Sequence, residues 1–292
     1  MRSRHFFSCV LVVPLLIGQL TWAKPPNPAA AAPKQPLSWR YVESEDYRTY
    51  VANLRSIGCP DQTIRDIVTA DVISVFAPRR TEALRARYQN YQYWKADASE
   101  TVARATLSAQ RRGIDAEMDR VLQGLLGDDT ALPDVSREWQ SADLDFRLSF
   151  LPPDKLAQAK AILLEHDHTE LLAQRLTTGD CLTEDTNELN NIVDAHEQDR
   201  DALRHALSPE EFNQVEMAAS WTGDNLRHAM VHFGPTEEEF RFIFAAWKAH
   251  DESLIQSYAA REPDPGNDDV YAQIKSQMTP ERFQLYRDTW WR

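Results

Sequence analysis

Apolar side chains recur along this chain three or four residues apart, and strand-like alternation is nearly absent. This period is that of an amphipathic helix. The first predicted helix has one apolar face, formed by Tyr47, Tyr50, Val51, Leu54 and Ile57. The next has a similar face, formed by Ile64, Ile67, Val68, Val72, Val75 and Phe76. The pattern therefore predicts an all-α protein.

A much longer helical pattern covers residues 80–126. Apolar or small residues repeat every seven positions, at Leu84, Tyr91, Ala98 and Ala105. Such a seam is typical of a coiled coil or a long helical hairpin. A continuous helix of this length would extend for about 70 Å, which exceeds the width of a compact domain. We therefore expect either a projecting arm or a break near Gly113.

Several shorter helices are predicted in the second half, because their start signals are clear. In "LSPEEF" and "GPTEEEF", Ser208 and Thr236 can cap a helix, and Glu211 and Glu239 can close a capping box. Further starts are "FLPPDKL", "LTEDTNEL" and "MTPERF". We expect an elongated multi-helix bundle, with an N-terminal helical region over 38–127 and a C-terminal helical bundle over 135–292.

The first 37 residues have a different character. Two arginines precede an apolar run over residues 6–20, and small residues stand before a cleavage position after Ala23. This layout over 1–23 is that of a secretory signal peptide, and the bulky Trp22 leaves an uncleaved membrane anchor as the alternative. Residues 24–37 are rich in proline and alanine, which predicts an extended linker. We expect a periplasmic or extracellular protein.

The charge of the chain restricts its partners. Asp and Glu number 45 against 32 Lys and Arg, and the net charge is −13. Nucleic-acid binding normally needs a basic surface, so we expect no nucleic-acid partner. Acidic residues dominate between 165 and 201, which indicates either a solvated acidic face or attraction of a cationic partner. No segment after the leader has transmembrane length, so we expect no other membrane contact.

Histidine and acidic residues form two clusters that a metal could use. Asp224, His228 and His232 follow one another at four-residue intervals, and such a row on one helix face can chelate zinc or copper. A solvated polar face is the other interpretation, and it is also favoured for "EHDHTE" at 165–170. His196 lies on an apolar face, so we expect a core histidine rather than a ligand.

Aromatic residues suggest a protein partner. "YQNYQYW" at 88–94 contains Tyr93 and Trp94, which fall off the heptad seam and can face a second helix or a partner. The terminal "DTWWR" at 288–292 is expected to pack on the core. We therefore expect protein partners bound through helical or aromatic surfaces, and the sequence does not define the oligomeric state.

Cys59 and Cys181 are the cysteines that remain after the predicted signal peptide. Cys59 lies between Gly58 and Pro60, where glycine can end one helix and proline can begin the next. The first interpretation is a packed corner between helices. A disulfide to Cys181 is the second, and a reactive thiol is the third.

The "LSPEEF" and "MTPERF" starts, with "FLPPDKL" as a looser copy, resemble the Leu-Thr-x-x-Gln-type helix starts of Spy-like periplasmic stress proteins. Phe212 and Phe283 stand where that motif has glutamine. The resemblance implies a small all-helical fold and a chaperone or metal-responsive role. In order along the chain, "DYRTYVANLRSIGCPDQTIRDIV", "LSFLPPDKLAQ", "LSPEEF" and "FGPTEEEFRFIF" also resemble a group of exported bacterial all-helical proteins of unassigned function. That resemblance implies a shared fold.

Sequence motifs of catalysis are absent: the chain has no nucleophile elbow, phosphate-binding glycine loop, paired-cysteine motif or haem attachment sequence. We therefore assign no catalytic, cofactor-binding or metal-ligating residue, and the sequence implies no cofactor. The favoured function is an exported structural, scaffold or protein-binding component of the cell envelope. The alternatives are a Spy-like chaperone or metal-responsive stress protein and, more remotely, a hydrolase without a recognisable motif.

Overall fold

The computed structural model describes residues 42–95, 100–165, 186–260, 262–263 and 266–290. Internal contacts divide the chain into residues 1–43 and a compact unit over residues 44–292. All the elements below belong to the second of these. The predicted signal peptide and linker, over residues 1–37, lie outside the described residues.

The described part of the chain is built from α-helices, which confirms the expected all-α multi-helix fold. In chain order the helices are α1 (Tyr47–Ser56), α2 (Asp61–Val75), α3 (Ala77–Tyr88), α4 (Glu100–Leu126), α5 (Ser136–Arg147), α6 (Pro153–Glu165), α7 (Thr186–Ala206), α8 (Pro209–Ala219), α9 (Trp221–Ala229), α10 (Glu237–Ala260), α11 (Asp268–Ser276) and α12 (Pro280–Thr289). None of these helices is both long and apolar enough to cross a membrane.

The long helical pattern over residues 80–126 is divided between two helices. α3 ends at Tyr88 and α4 begins at Glu100, whereas Gly113 lies inside α4 without interrupting it. The expected break near Gly113 is therefore wrong in position. α3 packs against both α4 and α5, so the described parts of this segment lie against each other and do not form one projecting helix. Leu84 of α3 and Met118 and Leu122 of α4 are buried and stabilise this arrangement, whereas Ala105 of the predicted seam is exposed.

The predicted capping signals are used as expected. The N–H of Glu211 donates to the Ser208 hydroxyl at 3.3 Å, and the Glu211 carboxylate accepts from the Ser208 N–H at 2.7 Å. Thr236 and Glu239 form the same reciprocal pair at 3.2 and 2.8 Å. These bonds satisfy N–H groups that the first turns of α8 and α10 leave without a helical partner.

The corner at Gly58 is also confirmed. Gly58 adopts a φ of 79°, a left-handed conformation that favours glycine. The following N–H, of Cys59, donates back to the Leu54 carbonyl at 3.1 Å and closes the end of α1. Cys59 is a free cysteine of intermediate exposure. Its proposed partner, Cys181, lies outside the described residues.

The largest apolar core lies among the helices from α5 to α12. Its centre includes Phe240, Ile243 and Tyr286, each 0% exposed. Tyr93, from the connection between α3 and α4, belongs to the same cluster. Leu54, Ile64 and Met118 are buried where α1, α2 and α4 pack together. The N-terminal helices and the C-terminal bundle thus lie within one compact unit.

Candidate functional site

The structure divides the predicted row of Asp224, His228 and His232. α9 ends before His232, so the third member is not on the helix that carries the other two. Asp224 instead accepts hydrogen bonds from the guanidinium groups of Arg147, at 2.5 Å, and Arg227. Within the described residues, no group of three or more His, Cys, Asp or Glu side chains is arranged to hold a metal ion.

Two arginines meet at the C-terminal end of α8. Arg147 donates from Nε to the Ala218 carbonyl at 2.8 Å, and Arg227 donates from Nη2 to the same oxygen at 3.3 Å. Arg227 also donates from Nη1 to the carbonyls of Met217, at 2.9 Å, and Tyr93, at 3.0 Å. Carbonyls at a helix C-terminus lack helical partners and carry partial negative charge, so they favour cations. These contacts hold both guanidinium groups in place.

The close approach of α8 and α9 depends on a glycine. Ser220 ends α8 and caps α9, because its hydroxyl accepts from the Gly223 N–H at 3.2 Å. A Cβ on Gly223 would lie only 2.3 Å from the Met217 carbonyl oxygen. The sharp turn between these helices therefore requires glycine, and it directs Arg227 back onto the end of α8.

A cavity of about 460 Å³ opens beside these arginines, between α3, α5, α9 and the start of α4. We name it the cationic cavity. The described basic side chains that line it outnumber the acidic ones by five to two: Arg87, Lys95, Arg104, Arg147 and Arg227 against Asp143 and Asp224. This excess of positive charge contrasts with the net charge of −13 for the whole chain.

Two tyrosines and an aspartate fix Arg147 at the edge of the cationic cavity. The Tyr88 hydroxyl donates to Asp143 at 2.5 Å, and Asp143 lies 3.5 Å from Nη1 of Arg147. Burial raises the pKa of Tyr88, and the Asp143 charge raises it further. Burial alone would lower the pKa of Arg147, but Tyr91 and Asp143 outweigh that effect and its pKa is raised. Arg147 therefore remains a cation and Tyr88 a hydrogen-bond donor.

His228, a member of the candidate metal-binding row, contacts an arginine. Nη2 of Arg104 lies 2.6 Å from Nδ1 of His228. Because a guanidinium group only donates, Nδ1 must accept this hydrogen bond, which leaves the proton of the neutral ring on Nε2. Arg104 thus occupies Nδ1, so this nitrogen is not available to bind a metal ion. Both residues line the cationic cavity.

A second cavity, also of about 460 Å³, lies between α5, α6, α7 and the junction of α8 with α9. We name it the amphipathic cavity, because its lining combines leucine and valine side chains with charged ones. Asp143, Arg147 and Asp224 line both cavities. The two cavities therefore adjoin at Arg147 and its ion-pair partners.

A largely buried cluster of charged groups includes Arg200 and Glu216, which line the amphipathic cavity. Glu216 lies 3.0 Å from Nζ of Lys248 and 3.5 Å from Nε of Arg200, and Arg200 lies 2.8 Å from Glu252. His196, only 7% exposed, is the core histidine that the sequence predicts. Burial and the charge of Lys248 lower the pKa of His196 from 6.5 to about 4. Its ring is therefore neutral at neutral pH.

The aromatic stretch at 88–94 packs into the protein. Tyr93 is 6% exposed, and its hydroxyl donates to Glu237. Trp94 meets the Tyr93 ring edge-on, with centroids 4.9 Å apart, and Tyr88 stacks on Phe146 at 5.3 Å. Tyr93 and Trp94 do face another element, as one interpretation of the sequence held, but they do not form an exposed aromatic patch.

Two sequence clusters remain, the C-terminal aromatic residues and the "EHDHTE" stretch at 165–170. Trp290 stacks on Trp247 with centroids 5.3 Å apart, and Trp247 donates a hydrogen bond to the Tyr286 hydroxyl at 2.9 Å. The expected packing of the C-terminal aromatics on the core is thus confirmed for Trp290. The "EHDHTE" cluster lies outside the described residues except for Glu165, which ends α6.

Sequence reasoning missed the residues that form the cationic cavity. Arg87, Lys95, Arg104, Arg147 and Arg227 are scattered through the chain, and no spacing marks them as a group. No protein-family model matches the chain, and no curated protein or solved structure matches it significantly. We therefore infer function from the two cavities and their side chains.

Proposed function

We propose that the protein is an exported, helical protein-binding component of the cell envelope, and that the cationic cavity takes an acidic segment of its partner. Export rests on the signal-peptide pattern at the N-terminus. The observation that carries the binding role is the cluster of five basic side chains around one cavity of an acidic chain.

The chemistry of the cavity favours a carboxylate. Arg147 and Arg227 are held against Asp224 and the end of α8, so they contribute fixed positive charge to the cavity while their own hydrogen-bond donors are already used. Arg87, Lys95 and Arg104 add basic groups from other parts of the chain. Arginine and lysine side chains bind carboxylates with strong, charge-assisted hydrogen bonds.

The net negative charge of the chain makes the cationic cavity the favoured place for an acidic segment to bind. A negatively charged partner is repelled by most of an acidic surface and attracted where basic groups collect. An acidic segment is therefore directed toward the cationic cavity. The aromatic rings of Tyr88 and Tyr91, which line the same cavity, offer contact area for the segment's apolar atoms.

The helix starts that resemble Spy-like proteins serve a structural purpose in this chain. Ser208 caps α8 and Thr279 caps α12, whose first-turn N–H, from Arg282, donates to the Thr279 hydroxyl at 3.3 Å. Capping chemistry accounts for these residues. The cavity, by contrast, has no such local explanation, and for this reason we place partner binding ahead of a chaperone or metal-responsive role.

Site-specific photo-crosslinking in the exporting cells tests the proposal. A photoreactive residue placed at Lys95, which is exposed and lines the cationic cavity, is expected to give a discrete protein adduct. The matched control is the same residue at Lys275, an exposed lysine of α11 that does not line the cavity. Raising the ionic strength should weaken the adduct at Lys95, because salt screens exposed charges.

Asn90 provides a second position on the same cavity. If neither Lys95 nor Asn90 gave an adduct that Lys275 lacked, the proposal would be wrong. An adduct of the same mass from all three positions would also contradict it, because the contact would then not depend on the cavity.

A further inference from the structure

A third cavity, of about 360 Å³, lies between α3, α5 and the end of α6. We name it the α3–α5 cavity, because these two helices supply most of its lining. Its volume falls in the usual range for small-molecule pockets. The charged side chains that line it are Arg80, Arg137, Glu138 and Asp145, and none of them lines the cationic cavity.

Arg80 brings a buried positive charge to the α3–α5 cavity. Its side chain is 4% exposed, and it donates to the Ile73 carbonyl at 3.0 Å and to the sulfur of Met118, a weak acceptor, at 3.8 Å. Burial lowers the pKa of Arg80, despite the opposing charges of Glu138 and Asp115. A buried charge is costly unless it is paired, and these two contacts include no anion.

The carboxylates near Arg80 do not supply the missing partner. Asp115 of α4 is bound by the indole N–H of Trp139, at 3.0 Å, and by Arg111, at 3.7 Å. Glu138 of α5 lines the same cavity as Arg80, but among the described residues the two form neither a hydrogen bond nor an ion pair. Oε2 of Glu138 is buried without a hydrogen-bond partner. The protein thus leaves a cation and an anion unmatched at one cavity.

The remaining charges of the lining do not change this balance. Asp145 is bound by Lys160, and Arg137 is exposed. A ligand with only a negative charge would be repelled by Glu138. A ligand with only a positive charge would be repelled by Arg80 and Arg137. A ligand that carries both charges can satisfy both unmatched groups.

We propose that the α3–α5 cavity binds a small zwitterion of the free α-amino acid type. Its carboxylate binds the guanidinium group of Arg80, and its ammonium group binds the carboxylate of Glu138. One carbon atom carries both charged groups in such a molecule, so it can bridge opposite charges that line one cavity without pairing directly. Charge-assisted hydrogen bonds of this kind are strong. The site is separate from the partner binding proposed for the cationic cavity.

Isothermal titration calorimetry of the purified full chain with L-alanine and L-leucine tests this proposal. We expect saturable one-to-one binding of at least one of them. Propanoate and 4-methylpentanoate lack the ammonium groups of these amino acids, whereas ethylamine and 3-methylbutylamine lack the carboxylates. Each analogue should bind about tenfold more weakly or worse than its parent, because it leaves one buried charge unpaired.

Glu138→Gln removes the negative charge and keeps the size of the side chain. The affinity for the amino acid should fall about tenfold or more, because the ammonium group loses its charged partner. The preference for the amino acid over its analogue without the ammonium group should also be lost, which a merely structural role of Glu138 would not cause. The matched control is Glu82→Gln on α3, since the Glu82 side chain is 72% exposed and does not line the cavity. It should leave affinity and preference unchanged.

Circular dichroism verifies that each variant is folded. If Glu138→Gln does not fold, Ala142→Leu, which places additional carbon atoms in the cavity, replaces it and should abolish binding. Absence of saturable binding of both amino acids would overturn the proposal. Equal affinity for either analogue would also overturn it, because one charge would then suffice. An unchanged preference in Glu138→Gln, or unchanged binding in Ala142→Leu, would place the amino acid elsewhere. None of these results depends on the partner of the cationic cavity.

Discussion

Arg147 of α5 and Arg227 of α9 donate hydrogen bonds to one and the same main-chain oxygen, the carbonyl of Ala218 at the end of α8. Three helices are joined at this point. Both arginines also line the cationic cavity, so the contacts that stabilise the helix junction also fix two positive charges at the edge of that cavity.

Removal of Arg227 should destabilise the protein strongly. Arg227 is 6% exposed and donates to the carbonyls of Met217, Ala218 and Tyr93. Arg227→Ala would remove this donor from the buried Met217 and Tyr93 carbonyls, while Ala218 would keep its bond from Arg147. We expect the free energy of unfolding to fall by about 3 kcal/mol or more, measured by urea denaturation.

Arg85 supplies the control for this substitution. Its side chain is 66% exposed and forms an ion pair with Glu82 one turn earlier. Arg85→Ala should change the free energy of unfolding by less than about 1 kcal/mol. Equal effects of Arg85→Ala and Arg227→Ala would contradict the structural role of the junction.

Substitution of glycine should have opposite effects at two positions. Gly223→Ala brings a Cβ into the Met217 carbonyl oxygen, and we expect a loss of about 1–3 kcal/mol in the free energy of unfolding. Gly113 lies in an exposed part of α4 with no atom within 4 Å of an added Cβ. Gly113→Ala should therefore stabilise the protein by up to about 1 kcal/mol. Thermal and urea unfolding at one pH measure the change in the free energy of unfolding for both variants. Stabilisation by Gly223→Ala would contradict the close contact with the Met217 carbonyl.

The stability of the protein should decrease between pH 6.5 and 4 because of His196. Its pKa is about 4 in the folded chain and 6.5 ordinarily. As the pH falls below 6.5, the unfolded chain binds a proton that the folded chain does not bind until about pH 4. The contribution to the free energy of unfolding is therefore lost across this window, by at most about 3 kcal/mol.

The pKa of His196 depends on the charged groups around it. Lys248 and Arg200 oppose its protonation, whereas Glu216 and Glu197 favour it. His196→Gln should flatten the dependence of stability on pH between 6.5 and 5, where few carboxylates titrate. The control is His205→Gln, because His205 is exposed at the end of α7. A slope that survived His196→Gln unchanged would show that another group is responsible.

Loss of either capping hydroxyl should destabilise the C-terminal helices. Ser208→Ala and Thr236→Ala each remove the acceptor for a first-turn N–H, and we expect each to cost about 1 kcal/mol. Ser108→Ala, at an exposed position inside α4, should be neutral or slightly stabilising. Chemical denaturation measures the free energy of unfolding of the three variants. If Ser208→Ala and Thr236→Ala lowered it no more than Ser108→Ala does, the capping boxes would not stabilise these helices.

Local features were predictable from the sequence where neighbouring residues decide the structure. The caps at Ser208 and Thr236 and the turn at Gly58 depend on residues within a few positions of one another, and the structure confirms them. The break in the long helical pattern was misplaced. Gly113 is a weak local signal, because a single glycine costs an exposed helix only about 1 kcal/mol. The connection after Tyr88 forms instead where Tyr93 can enter the core.

At the candidate site, too, the sequence reveals local spacing but not the contacts that tertiary packing creates. The sequence drew attention to the row of Asp224, His228 and His232, since regular spacing is visible in one dimension. In three dimensions, Arg147 and Arg104 reach this row from other helices and bind its first two members. Spacing along one helix cannot reveal partners that tertiary packing supplies.

By itself, the sequence determined the all-α class and the starts of several helices, because hydrophobic period and capping are properties of short segments. Only the tertiary structure decided where the long pattern divides, which arginines converge on Ala218, and that five scattered basic residues surround one cavity. Those features depend on contacts between distant parts of the chain. Such contacts form because burying apolar faces brings the helices together, and the charged groups between them must then find partners.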